Sequence, residues 1–499
     1  MKIIFMANIG NSDVYYNDQR ATDTGMSRTT GRKLLEQWQS KREKISIPII
    51  NAGLNKVKES ASLPYEIWLF CTNQPATAAE SHRSKDTIHF AEIVQKKVCE
   101  LYKYTPDSVK IITINGNPSN YDEMMDFYDK FFNSAIEENQ VYKDAFFFFS
   151  ITGGTPQANT GLLVNSINHF ENNGQAVYVS EKSGAATLDL VSKVINKKYA
   201  SLVCTMIYNY NYAAAMNIIE EWGRLPGHIK ELTQASQYIY DLNFMNAKTL
   251  IKKVCSRASI NAVSKSKLSN EIIPEINNLY ESQRNMADYQ RISKADKKEL
   301  NGDELEKLKK SYEILLKFWL DKMDISWRNN NLYEFSDLLF GMIENIAKYM
   351  IMQQIETPVL KPYFDDVKKK MLATEGFTDY AKSKKIYLDG EPSNHVFNIY
   401  LQFLVEKQKL KEKEKAKIIN SFIKPLMVIK DKRNEAVHLF GSSSEEHFKD
   451  PNLEKNYPGK NIMEIIDDNY RRLEITRNKN SILKVINELI AESVLTFSK

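Results

Sequence analysis

Five short apolar runs punctuate the first 195 residues: Lys2–Ala7, Tyr65–Cys71, Lys110–Asn115, Ala145–Ile151 and Ala176–Glu181. These are mostly continuous rather than alternating, so both faces of the strands they predict should be covered. Between them the spacing becomes helical. Thr87–Tyr102 sets Ile88, Ala91, Ile93, Val94, Val98 and Leu101 near one face, and Tyr121–Phe132 and Gln157–Phe170 also read as helices. This alternation predicts βαβ units in an α/β domain with a doubly wound, mostly parallel, Rossmann-like sheet.

Beyond about Ser192 the strand pattern stops. Long stretches with a period near 3.6 follow, among them Leu232–Leu242, Leu300–Leu320, Leu332–Met352, Val396–Ile429 and Ile462–Phe497. They predict an all-α second half of packed helices. The expected organisation is an α/β domain over 1–195, a helical connecting region over 196–325 and a further helical domain over 326–499. Leu410–Lys417 is a run of charge and reads as a solvated helix face or a helix–helix hinge, and Gly441–Ser444 reads as a helix stop and loop.

Composition narrows the class. Gly (18) and Pro (14) are scarce in 499 residues, which favours long regular elements over loop-rich β architecture. A formal net charge of +5 excludes a histone-like sheath of positive charge and leaves room for a local basic patch. Cys71, Cys99, Cys204 and Cys255 lie far apart with no CxxC pair, so reduced thiols are expected rather than a disulfide framework. No run approaches the roughly 18 apolar residues of a membrane helix, and the first residues turn polar at once. A cytoplasmic, soluble protein without membrane contact is expected.

The sharpest local feature is Phe146–Gln157, FFFFSITGGTPQ. A buried strand runs into a hydroxyl-bearing glycine turn, and a helix follows. Gly153 and Gly154 permit positive φ and close approach of a ligand. Pro156 suits the first turn of the helix. Backbone N–H groups and the positive helix end then face the loop, which makes an anion site with phosphate as its usual occupant. Thr152 and Thr155 add hydroxyls. Neither GxGxxG nor GxxxxGK[ST] is present. Asn8–Asp13, after the first strand, is a second polar loop with a glycine. In an open parallel sheet such loops converge on one crevice, where a nucleotide-sized ligand would sit. The plainer reading of each loop is a tight turn.

Near the far end stands Arg433-Asn434-Glu435-Ala436-Val437-His438, with Asp431 as a candidate N-cap. Five residues on a regular helix leave two side chains about 140° apart, so Arg433 and His438 meet only near a helix end or by the reach of the arginine. The pair suits RNA cleavage without metal. A histidine moves the proton, an arginine holds the phosphate as charge builds on it, and Asn434 orients either. The plainer reading places His438 in a helix bundle and Arg433 on a surface.

Together and in this order, the motifs resemble a known layout. Ile9-Gly10-Asn11-Ser12-Asp13 and Ser150-Ile151-Thr152-Gly153-Gly154-Thr155 resemble the ligand loops of the CARF sensor domain of CRISPR systems. Arg433-Asn434-x-x-x-His438 in a helical half looks like the R-x4-6-H motif of HEPN ribonucleases. CARF followed by HEPN is the layout of the type III CRISPR ancillary ribonucleases. The resemblance implies a homodimer whose paired CARF domains bind cyclic oligoadenylate as allosteric activator. It implies a HEPN domain cutting single-stranded RNA without metal or cofactor, leaving a 2′,3′-cyclic phosphate and a 5′-hydroxyl. It also implies a functional link to a type III effector complex without stable binding.

Carried over residue by residue, the ligand set is Gly10, Asn11, Ser12, Thr152, Gly153, Gly154 and Thr155, with Gln157 beside them. The catalytic set is Arg433, Asn434 and His438. One departure is that Pro156 stands where many CARF domains have lysine after the turn. Backbone N–H groups, Thr155 or a distant lysine such as Lys182 would have to replace it. Some CARF domains also degrade their messenger, and Thr152, Thr155 and Asn11 are groups that could position a 2′-hydroxyl for that.

The rival readings are a non-catalytic, ligand-responsive CARF regulator that binds nucleic acid or a protein partner, a nucleotide-cofactor enzyme, and a HEPN toxin needing no messenger. No helix-turn-helix signature supports the first. The histidines His82, His89, His169, His228, His395, His438 and His447 show no HxH, HxxxH or HExxH spacing, so no metal site is expected. Tyr208-Asn209-Tyr210-Asn211-Tyr212 could stack on bases, but helix packing or a dimer contact explains it more simply.

Overall fold

The computed structural model describes residues 2–22, 26–139, 142–180, 184–293, 299–388, 390–407, 410, 417–423, 425–426, 448–476 and 481–498. The chain divides into two compact units, Met1–Tyr199 with Ser498–Lys499, and Ala200–Phe497.

Among the described residues the first unit has nine strands: β1 (Ile3–Asn8), β2 (Tyr15–Tyr16), β3 (Gln19–Arg20), β4 (Ile45–Ser46), β5 (Glu66–Thr72), β6 (Val109–Ile114), β7 (Phe146–Ser150), β8 (Gly174–Ser180) and β9 (Gly184–Leu188). The main sheet has the order β6-β5-β1-β7-β8-β9. All its pairs are parallel except β8 with the edge strand β9. The chain winds outward from β1 through β5 to β6, then returns to place β7 on the other side of β1. The sheet is doubly wound, and its topological switch lies between β1 and β7.

Successive residues of β7 feed opposite faces of the sheet. Phe148 packs on one face with Phe5, Leu54, Val94 and Val179. Phe147 points to the other, stacking on Phe170 at 3.6 Å between ring centroids. There Trp68 and Phe70 meet Phe131 edge-on. The helices Tyr121–Glu138 and Pro156–Phe170 cover this aromatic face, while Pro48–Ser60 and Ile88–Tyr102 cover the first. Two covered faces explain the apolar runs of β1, β5 and β7, whereas β6 and β8 are only partly covered and expose Lys110 and Tyr178; each buried phenylalanine contributes roughly 1.5–3 kcal/mol.

The small sheet β3-β2-β4 was not legible in the sequence. β2 and β3 form a two-residue hairpin in which Asn17 and Asp18 take φ of 51° and 61°. Asparagine and aspartate accept that left-handed geometry with little strain.

The second unit contains no strand among the described residues. Its long helices include Gly227–Tyr240, Gly302–Arg328 and Leu332–Ile355, and one apolar core runs from Leu308 through Phe403 to Ile475. Two expected stretches are interrupted. The helix that starts at Asn394 ends at Glu406, within the expected Val396–Ile429 run. Ile462–Phe497 is two helices, Ile462–Arg472 and Ile482–Phe497, because Glu474 takes φ of 61° after the first. The second returns to the start of the unit: Tyr212 Oη donates to Asn487 Oδ1 at 2.9 Å, and Asn487 Nδ2 donates to the Ile207 carbonyl at 2.9 Å. Tyr212 is thus a packing residue, while Tyr208 is exposed.

The four cysteines are free. No helix among the described residues is long and apolar enough to cross a membrane.

Candidate functional site

The loops after β1 and β7 meet at the switch point. Their backbones touch so closely that a Cβ on Gly10 would lie 2.4 Å from the Gly154 nitrogen. Gly153 and Gly154 take φ of 89° and 64°, a region that favours glycine. A Cβ on Gly154 would also lie 2.7 Å from Asn8 Cβ. The two glycine loops are therefore one structural feature.

Polar side chains underneath hold it. Buried Asn8 donates to Asn159 Oδ1 at 3.0 Å and accepts from Tyr128 Oη at 2.5 Å. Asn159 in turn donates to the Gly153 carbonyl. Asp13 lies fully buried beneath Gly153 and accepts from the Gly10 N–H at 2.7 Å through Oδ2, while its Oδ1 has no hydrogen-bond partner. Burial pushes the Asp13 carboxyl from 3.8 up to about 7, against the pull of the Gly10 N–H.

Two clefts open on either side of this junction. The first, about 650 Å³, is lined by Gly10, Asn11, Ser12, Thr152, Gly153 and Gly154, with Tyr15 and Arg20 from the small sheet. The second, about 380 Å³, shares Gly10, Asn11, Ser12 and Gly154 and adds Thr155, His82, Lys85, Asn117 and Ser119. Both fall within the size range of small-ligand sites. Among the described lining residues neither cleft has a carboxylate, and each has at least one basic side chain. Cys71 also lines the second cleft, but burial pushes its thiol up to about 12, so it stays protonated at neutral pH.

The expected ligand residues have distinct placements. Thr152 Oγ1 accepts from the Val179 N–H at 2.8 Å and keeps its proton for another acceptor. Thr155 caps the helix Pro156–Phe170 by accepting from the Ala158 N–H at 3.2 Å, with Pro156 at the first position. Its own proton goes to the Pro118 carbonyl. Asn11 accepts from Ser27 Oγ at the start of the helix Ser27–Glu36. Gln157 lies in the first turn of the following helix and is not among the residues lining either cleft.

The backbone N–H groups of Thr152 and Gly153 meet no acceptor among the described residues. With the helix N-terminus behind them, they suit an anion. Arg433, Asn434 and His438, and also Lys182, lie outside the described residues. Among the described residues no group of three His, Cys, Asp or Glu is placed to hold a metal ion. Sequence reasoning missed Asn8, Asp13, Asn159 and Tyr128 as supports of the loops. Asp13, a single acidic residue closing a glycine loop before Val14, was the available signal.

The sequence matches no family model and no curated protein. Among solved structures, Enterococcus italicus Csm6 bound to cyclic hexa-2'-fluoro-hexa-dAMP aligns with 99% of this chain and 100% of its own, at a TM-score of 0.53 and 14% sequence identity. The chain shares the fold of that Csm6, here a doubly wound α/β unit followed by a unit that is helical throughout its described residues.

Proposed function

We propose that this chain is a cyclic oligoadenylate-activated endoribonuclease of type III CRISPR defence. The observation that carries the reading is the double cleft at the switch point. It mixes polar and apolar groups, is free of carboxylates among its described lining residues and is floored by glycine loops, in a chain that matches a cyclic-hexanucleotide-bound Csm6 along nearly its whole length.

In this reading the N–H groups of Thr152 and Gly153 receive messenger phosphate, and the Thr152 hydroxyl donates to it. Occupancy favours a competent state of a homodimer over its resting state. In the domain over 326–499, Arg433 holds the scissile phosphate bidentately, Asn434 orients it and His438 moves the proton. The 2′-oxygen forms a bond to phosphorus as the bond to the 5′-oxygen breaks. One proton leaves the 2′-hydroxyl and one joins the 5′-oxygen. The products are a 2′,3′-cyclic phosphate and a 5′-hydroxyl, with no metal in the step.

The test is cleavage of single-stranded RNA in EDTA with cyclic tri-, tetra- or hexa-adenylate. One ring should switch cleavage on, and Arg433→Ala or His438→Ala should abolish it. Cleavage without any ring would point to an unregulated toxin. Ring binding without cleavage would point to a non-catalytic regulator. Degradation of the messenger by the first unit is a further part of the reading, with Thr152 and Asn11 as positioning groups. Thr155 is less suited because its proton is already donated to the Pro118 carbonyl. An intact ring recovered after incubation with a His438→Ala protein would end that part.

A further inference from the structure

The turn after β7 lacks a lysine, since Pro156 stands there. The basic groups of the second cleft come instead from the segment that follows β5. His82 belongs to a short helix, Glu80–Arg83, and Lys85 follows it. Lys85 is exposed, and its ammonium makes no ion pair or hydrogen bond among the described residues.

The backbone that carries it is firmly held. Asp86, fully buried, accepts from the Gln74 N–H at 2.9 Å and pairs with the Arg28 guanidinium at 3.0 Å. Arg28 also donates to Asn73 Oδ1 at 3.0 Å. Thr72 and Thr87 exchange backbone-to-hydroxyl hydrogen bonds at 3.1 and 3.0 Å. The strand end and the segment carrying Lys85 are thus clamped together. An unpaired cation on a fixed backbone, facing a cleft without carboxylates, favours an anionic occupant.

The cleft is continuous with the glycine loops through Gly10, Asn11, Ser12 and Gly154. A ligand whose phosphate lies on those loops can carry its next phosphodiester into the second cleft. There Lys85 supplies charge, His82 a ring nitrogen, and Asn117 and Ser119 neutral polar groups. We propose that the second cleft is a phosphodiester subsite in which Lys85 is the cation that the turn after β7 does not provide. This rests on the reading of the double cleft as the messenger site.

The test uses fluorescently labelled cyclic tetra- and hexa-adenylate, with anisotropy titrations across a salt series for the wild type, Lys85→Ala, Lys85→Glu and Lys85→Arg. Thermal unfolding serves as the folding control, and the exposed, unpaired Lys85 should leave the midpoint unchanged. We expect Lys85→Glu to weaken ring binding about tenfold, the loss of a charge-assisted hydrogen bond. Its salt dependence should be flatter and Lys85→Arg should bind nearly as the wild type does. Equal affinity and equal salt dependence for the wild type and Lys85→Glu would overturn the subsite alone. A wild type that binds neither ring would overturn the messenger reading and the subsite with it.

Discussion

Asn8, the last residue of β1, donates its side-chain amide to Asn159 Oδ1 at 3.0 Å, and so ties the first strand to the helix after β7. The tie matters because Asn159 then reaches back to the Gly153 carbonyl. Asn8→Ala leaves the fully buried Tyr128 hydroxyl without its acceptor and Asn159 without its donor. The expected cost is about 2–4 kcal/mol, read by urea denaturation. A change below about 0.5 kcal/mol, the range of ordinary surface substitutions, would show that the network holds nothing in place.

Gly10→Ala sets a methyl group against backbone, at 2.4 Å from the Gly154 nitrogen, where no side chain can rotate away. The two loops must separate. The expected outcome is loss of cyclic oligoadenylate binding while thermal unfolding of the protein stays cooperative. Ser12→Ala, which adds no atom, should weaken binding much less.

Asp13 gives the protein a pH signature. Its carboxyl rises from 3.8 in the ordinary state to about 7 when buried. Below about pH 4 it is protonated in folded and unfolded chains alike, and its burial costs little. As the pH climbs from 4 to 7 the unfolded chain releases the proton first, so stability falls. Above about pH 7 the full penalty applies, at most about 4 kcal/mol. Asp13→Asn keeps an acceptor for the Gly10 N–H and carries no charge. Its stability advantage over the wild type should grow between pH 4 and 7 and then level off in urea melts. Parallel curves for the two proteins would contradict this.

On the proposed reading, Arg433→Ala and His438→Ala should abolish RNA cleavage and leave messenger affinity within about twofold, because the described lining residues of both clefts belong to the first unit. EDTA should leave wild-type cleavage unchanged. Binding titrations beside gel assays of RNA products check both.

The parts of the fold that were legible in the sequence share one physical cause. The central strands β1, β5 and β7 are buried on two faces, so their apolar runs are unbroken, as in Phe146–Phe149, while β6 and β8 are only partly covered. The edge strand β9, Gly184–Leu188, escaped notice because its residues are small and largely uncovered. β2 and β3 are two residues each, too short for a period of two to register. The glycine turn was legible because Gly153, Gly154 and Pro156 carry backbone requirements in their identity. Its supports were not. Asn8 and Asn159 lie 151 positions apart, and only the packed sheet reveals that they touch. Lys85 looked like any surface lysine until the fold opened a cleft beside it.

The bond between Tyr212 and Asn487 spans 275 positions. During synthesis the Tyr212 hydroxyl therefore waits for its acceptor until the ribosome has made nearly all of the second unit. The described strands of the first unit's main sheet are all in hand by Leu188. A truncated or stalled translation product would thus display a finished sheet with its glycine-loop clefts and an unfinished helical bundle, and nascent-chain proteolysis should show the sheet protected long before the bundle.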